Sequence, residues 1–175
     1  MVFPGNSQGG LVPQLSFRTS LLDVLTVTEE DGAIVALDWG WGRDQTETPL
    51  LQDARAQIEA YLDGERQGFD LPLRPAGTAY RQRVWAALAA IPYGAVRTYK
   101  EIALVAGGGA RSVGQANGDN PIPILIPCHR VVATGGIGGY SGGDGLETKR
   151  RLLQVERGPN SGLFVEPPRA AAGGP

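Results

Sequence analysis

Cysteine, histidine and methionine each occur once in this 175-residue chain. A single cysteine cannot close an internal disulfide, so burial has to hold the fold. A lone thiol stays usable only in reducing surroundings, and a cytoplasmic location is expected. Structural zinc takes about four Cys or His ligands, so a structural zinc site is excluded; a catalytic metal held by carboxylates stays open but has no motif here, and no metal or other cofactor is expected. No apolar run approaches the roughly 18 residues of a membrane span. The first ten residues lack a basic stretch followed by an apolar one, so neither a signal peptide nor membrane association is expected. Excess positive charge is also missing, since the net charge is −2. Taken alone, that argues against a polyanionic partner.

The distribution of charge argues otherwise. Residues 1–75 carry five Lys and Arg against twelve Asp and Glu, a balance of −7. Residues 76–157 carry ten against five, a balance of +5. A basic second half can present a phosphate-binding face while the whole molecule stays acidic. At 42% apolar residues the chain suits two small lobes sharing a core.

The local signals fall in order along the chain. Residues 1–17, rich in Gly, Pro, Ser and Gln, read as loosely ordered. Residues 21–28 and 33–39 read as strands, with Asp31-Gly32 between them as a hairpin turn. Thr48-Pro49 reads as an N-cap with proline at the first helical position, and Leu51, Ala54, Ile58 and Tyr61 then recur at helical spacing. Residues 68–77, with Pro72 and Pro75, read as the connection between lobes. A helix is expected near 78–90. Thr98 and Glu101 form a capping-box pattern for the next helix, which stops at Gly107-Gly108-Gly109. A further helix over 111–117 completes a helix-turn-helix layout. Three prolines within residues 120–127 forbid a regular helix, so this stretch is expected to run buried and extended to Cys128. The glycine-rich stretch 135–145 around Tyr140-Ser141 reads as a mobile loop, residues 147–156 as a last helix, and the tail from 158 as disordered.

The single cysteine and the single histidine are neighbours, Cys128 and His129. A free thiol is only partly ionised at neutral pH and needs help to act as a nucleophile. A water can bridge His129 to the thiol, and Glu156 can orient the imidazole. In isolation the pair reads more readily as a buried cysteine beside a structural histidine.

The surrounding residues shift that balance. Pro127-Cys128-His129-Arg130-Val131 follows Asn120-Pro121-Ile122-Pro123 and precedes Gly139-Tyr140-Ser141-Gly142-Gly143. Upstream stand Ile91-Pro92-Tyr93-Gly94, Thr98-Tyr99 and Ala110-Arg111-Ser112-Val113-Gly114. This frame resembles the O6-alkylguanine-DNA alkyltransferases over residues 69–157, and more loosely before that. The resemblance implies an α/β fold of two lobes. Residues 1–75 would form a small antiparallel sheet with a helix, ribonuclease H-like. Residues 76–157 would form a mostly helical lobe with a winged-helix-like helix-turn-helix.

It also implies roles. Cys128 would accept the alkyl group once, irreversibly, from O6 of guanine (or O4 of thymine) after the nucleotide flips out of double-stranded DNA. His129, through water, would be its base, supported by Glu156. Tyr99 would serve the departing guanine, and Asn120 would couple the recognition helix to the active-site segment. Arg111 would enter the base stack. Ser112, Gly114, Ala116 and Arg130 would face DNA, and Tyr99, Val131, Tyr140 and Ser141 would line the base pocket. A monomer working on alkylated duplex DNA is expected. The chain departs from some relatives in lacking first-lobe zinc ligands and in carrying Gln115 where a small residue is common. The alternatives are a lesion binder that does not react, which the presence of Cys128 opposes, a helix-turn-helix regulator, and a cysteine hydrolase, for which Cys and His stand too close in sequence.

Overall fold

A computed structural model describes residues 12–158; expectations for residues 1–11 and for the tail from 159 onward lie outside it. Three strands, β1 (Gln14–Arg18), β2 (Val24–Glu30) and β3 (Ala33–Trp39), form an antiparallel sheet in that order. Asp31 and Gly32 both take positive φ, 46° and 76°, as a two-residue hairpin turn demands. The loose start expected up to residue 17 is corrected. Gln14–Arg18 pairs with Val24–Thr28, and the Thr19 amide closes the turn on the Asp23 carbonyl at 2.7 Å. Helix α1 (Pro49–Leu62) begins where the Thr48 hydroxyl accepts from the Leu51 amide. It lays Leu51, Ala54, Ile58 and Tyr61 against the sheet, all fully buried.

The proline-bearing connection is not free chain. The Ile34 amide donates to the Pro72 carbonyl and the Arg74 amide to the Ile34 carbonyl, both at 2.8 Å, so residues 72–74 lie along the open edge of β3. The second half follows with α2 (Ala79–Ala89), β4 (Arg97–Thr98), α3 (Tyr99–Ala106), α4 (Ala110–Gly118), β5 (Val131–Val132) and α5 (Leu146–Arg157). The Thr98–Glu101 capping box is formed. Trp85 of α2 donates its indole N–H to the Ala116 carbonyl at 2.9 Å, which ties α4 to the core. One apolar cluster runs through both halves, from Leu15 to Leu152.

The segment before Cys128 is buried but not extended. The Leu125 amide reaches the Pro123 carbonyl and the Ile126 amide the Ile122 carbonyl, both at 2.9 Å, with Ile124 at φ 72°. The prolines excluded helix, as expected, and the chain folded back on itself. Among the described residues no helix is long and apolar enough to cross a membrane.

Candidate active site

Cys128 opens a single 3-10 turn, Cys128–Arg130, wedged between α2 and α5 and leading into β5. Two asparagines fix its approach. Asn120 donates its side-chain amide to the Ile126 carbonyl at 2.9 Å and accepts from the Ile122 amide at 3.0 Å. Asn117 of α4 donates to the carbonyl of Cys128 itself at 3.3 Å. Helix α4 and the Cys128 turn are thus joined directly. Asn117 was not singled out from sequence.

The thiol is 5% exposed. Burial pushes its pKa up, while the Asn120 amide, the Tyr140 hydroxyl and the charge of Lys149 pull it down. Lys149, likewise missed from sequence, is fully buried and has no carboxylate partner among the described residues. Its ammonium donates to the carbonyls of Val131 (2.6 Å) and Gly139 (2.9 Å), and burial lowers its pKa to about 8.

Behind the thiol lies a closed polar cluster. His129 is fully buried, with Nε2 2.8 Å from Glu156 Oε1. Tyr61, from α1 of the first half, donates its hydroxyl to the same oxygen at 2.5 Å and lies 3.2 Å from His129 Nε2. Arg130 grips both Glu156 oxygens at 2.8–3.0 Å and donates to the Ile91 carbonyl at 2.7 Å. Burial works to raise the Glu156 pKa, but the hydrogen bonds from His129 and Arg130 hold it at about 2. Burial keeps His129 below its ordinary value despite Glu156. A neutral imidazole beside an ionised carboxylate carries its proton on the nitrogen that faces it. Nε2 is therefore the donor and Nδ1 keeps its lone pair. Nδ1 has no hydrogen-bond partner among the described residues.

In front of the thiol is a cavity of about 500 Å³, lined by Cys128, Tyr99, Asn117, Asn120, Tyr140 and Ser141, with Gly114, Gly118, Pro123, Gly139, Gly142 and Trp39. The ring of Tyr99 lies between glycines. A β-carbon on Gly138 would stand 3.0 Å from it and one on Gly114 would stand 3.8 Å away. Burial, with the nearby Cys128 thiol, raises the Tyr99 pKa against the Gly139 amide, so the phenol stays protonated. Burial keeps Tyr140 protonated in the same way.

Several expected positions move. Arg130, expected on the DNA face, is buried and committed to Glu156; a motif neighbour of Cys128 need not point where Cys128 points. Ala116, also expected at DNA, is 2% exposed and lies on the buried face of α4, in the apolar core. Val131 is fully buried and does not line the cavity; its carbonyl takes the Lys149 ammonium. Ser112 is half-buried, its hydroxyl capping α4 at the Gly109 amide and contacting Tyr80. Ala110, Arg111 and Gln115 are the exposed side chains of α4. Among the described residues no cluster of three or more His, Cys, Asp or Glu could hold a metal ion.

Two family models match. Residues 16–75 match the ribonuclease-like domain of 6-O-methylguanine DNA methyltransferase, and residues 79–158 match its DNA binding domain. The chain is 41% identical over 150 residues to the constitutive methylated-DNA--protein-cysteine methyltransferase of Bacillus subtilis, covering 78% of this chain and 90% of that one. It is 44% identical over 131 residues to the Methanosarcina barkeri enzyme of the same name, covering 69% and 82%. Among solved structures, the Mycobacterium tuberculosis protein in complex with DNA superposes with a TM-score of 0.75 at 38% identity, covering 83% of this chain and 93% of that one.

Proposed function

Since the chain belongs to the 6-O-methylguanine DNA methyltransferase family, we propose that Cys128 is its alkyl acceptor and that the 500 Å³ cavity in front of the thiol takes the flipped base. The activity is that of a methylated-DNA--protein-cysteine methyltransferase, a DNA-repair reaction on a DNA-binding fold. The observation that carries the residue assignment is the pairing of a buried thiol with a tautomer-locked histidine.

His129 Nδ1 keeps a lone pair because Nε2 is committed to Glu156. Through one water, Nδ1 takes the thiol proton. The sulfur attacks the alkyl carbon in line, the bond from carbon to O6 breaks, and the electron pair leaves on the guanine. The phenol of Tyr99, kept protonated by burial, donates a hydrogen bond to the departing base. Lys149 offsets the charge of the thiolate. The thioether has no leaving group that water can displace, so each molecule reacts once.

The first 75 residues serve as a supporting lobe and residues 76–157 as the DNA-binding and acceptor lobe. The substrate is duplex DNA bearing O6-alkylguanine, met by a monomer through α4. Arg111 fills the space left in the stack as α4 lies in the minor groove.

The test is intact-mass measurement after mixing with duplex DNA carrying O6-methylguanine. One methyl per protein, on the peptide that contains Cys128, is expected. Repeated turnover by a small amount of protein, or a methyl elsewhere, overturns the reading. Cys128→Ser should abolish transfer and keep DNA binding.

A further inference from the structure

One wall of the cavity does not come from the acceptor half of the chain. Trp39 is the last residue of β3 and pairs with Leu25, so it lies on the sheet face that carries Leu25 and Leu37, both buried. It extends that row past the core and into the lining of the Cys128 cavity. There its indole meets the backbone of Gly142-Gly143. A β-carbon on Gly142 would stand 2.8–2.9 Å from indole Cζ2, Cε2 and Nε1, and one on Gly143 would stand 3.2–3.3 Å from Cε3 and Cζ3. Gly142 does not have the left-handed backbone that would call for glycine on its own account. Its missing side chain is explained by the ring beneath it. The segment that rests on the indole is the same one that supplies Gly139, Tyr140 and Ser141 to the cavity.

Taking the cavity as the base pocket, we propose that Trp39 is a specificity-determining residue. It seats the 139–143 segment and bounds the space beside the thiol, and so limits the size of the O6 substituent that the pocket accepts. The indole is large and has few rotamers, so the limit is firm. Smaller side chains at this position would let the glycine segment settle away from Cys128 or leave open volume in its place.

The experiment uses the full chain and single-turnover rates on duplex oligonucleotides carrying O6-methylguanine or O6-benzylguanine. Trp39→Ala should raise the benzyl-to-methyl rate ratio by roughly tenfold, the scale on which a small change in pocket shape discriminates, with Trp39→Phe in between. A side chain that only supports the fold would move both rates together, so an unchanged or lower ratio overturns the proposal. Gly142→Ala should depress the methyl rate in the native background and have little further effect in Trp39→Ala; additive losses overturn the contact. Should Trp39→Ala fail to fold, Trp39→Phe decides alone, a ratio above the native one supporting the proposal and any other result overturning it. A native protein that takes no methyl on Cys128 would overturn the pocket reading itself, whereas a reactive native protein with a fixed ratio would overturn only the role of Trp39.

Discussion

Glu156 answers three side chains at once: Tyr61 from α1, His129 from the acceptor turn and Arg130 beside it. Removing any one of them leaves a buried carboxylate short of a partner. Arg130→Met removes the charge that faces it. Breaking a buried ion pair from one side costs roughly 3–5 kcal/mol, and a loss of that order is expected in denaturant unfolding, with the salt dependence of DNA binding unchanged. A shallower salt dependence at native stability would instead return Arg130 to the DNA surface. Tyr61→Phe removes only a hydroxyl. Hydrogen bonds to charged groups contribute about 1.5–3 kcal/mol, and a stability loss in that range is expected. The alkylation rate should fall as well, because Glu156 then holds His129 less firmly. Tyr99→Phe should behave differently. With its hydroxyl in the proposed role toward the departing base, single-turnover alkylation should slow by about 10²-fold while melting temperature and DNA affinity hold; an unchanged rate would remove Tyr99 from the chemistry.

Among the elements, α4 presents Arg111 and Gln115 outward and buries Val113, Ala116 and Asn117. Arg111→Ala should therefore slow repair of duplex DNA far more than reaction with the free alkylated base, because only the duplex has a stack to fill. Equal losses would make Arg111 structural. The elements that were legible in sequence are those whose cause is local. Asp31-Gly32 dictates its own turn, Thr48-Pro49 its own helix start, and Thr98 and Glu101 lie three residues apart. Strand β1 was hidden because its composition resembles a loose terminus and its evidence is the β2 backbone beside it. The segment before Cys128 was half legible. Proline excludes helix by local sterics, but the turn at Ile124 depends on the amide of Asn120 holding the Ile126 carbonyl. The candidate site divides in the same way. Cys128, His129 and Tyr99 stand inside a recognisable frame of neighbours. Tyr61, Lys149 and Trp39 reach the site from 67, 21 and 89 residues away from Cys128 in sequence, and no local pattern marks them as part of it. Arg130 was misassigned because its partner lies 26 residues downstream.

At the scale of the molecule, the buried cluster links the fold to acid. Glu156 titrates at about 2 against an ordinary 4.5, so the unfolded chain binds its proton more readily. The stability it contributes is complete above about pH 4.5 and is lost as pH falls toward 2. His129, held below its ordinary 6.5, acts in the same direction, its contribution being complete above 6.5 and lost on acidification through its lowered folded value. The melting temperature should therefore fall steadily from pH 7 to pH 3, and less steeply in Glu156→Gln; equal slopes would detach the cluster from acid stability. The parallel pairing of β4 with β5 has a consequence of another kind. Arg97 faces Val131 and Thr98 faces Val132, so the strand just before Tyr99 and the strand just after the Cys128–Arg130 turn are joined rung to rung. That ladder ties the backbone leading into Tyr99 to the backbone leaving the Cys128 turn. With the base drawn out of the stack as proposed, the rate on one lesion in different sequence contexts should rise as the flanking pairs melt more easily.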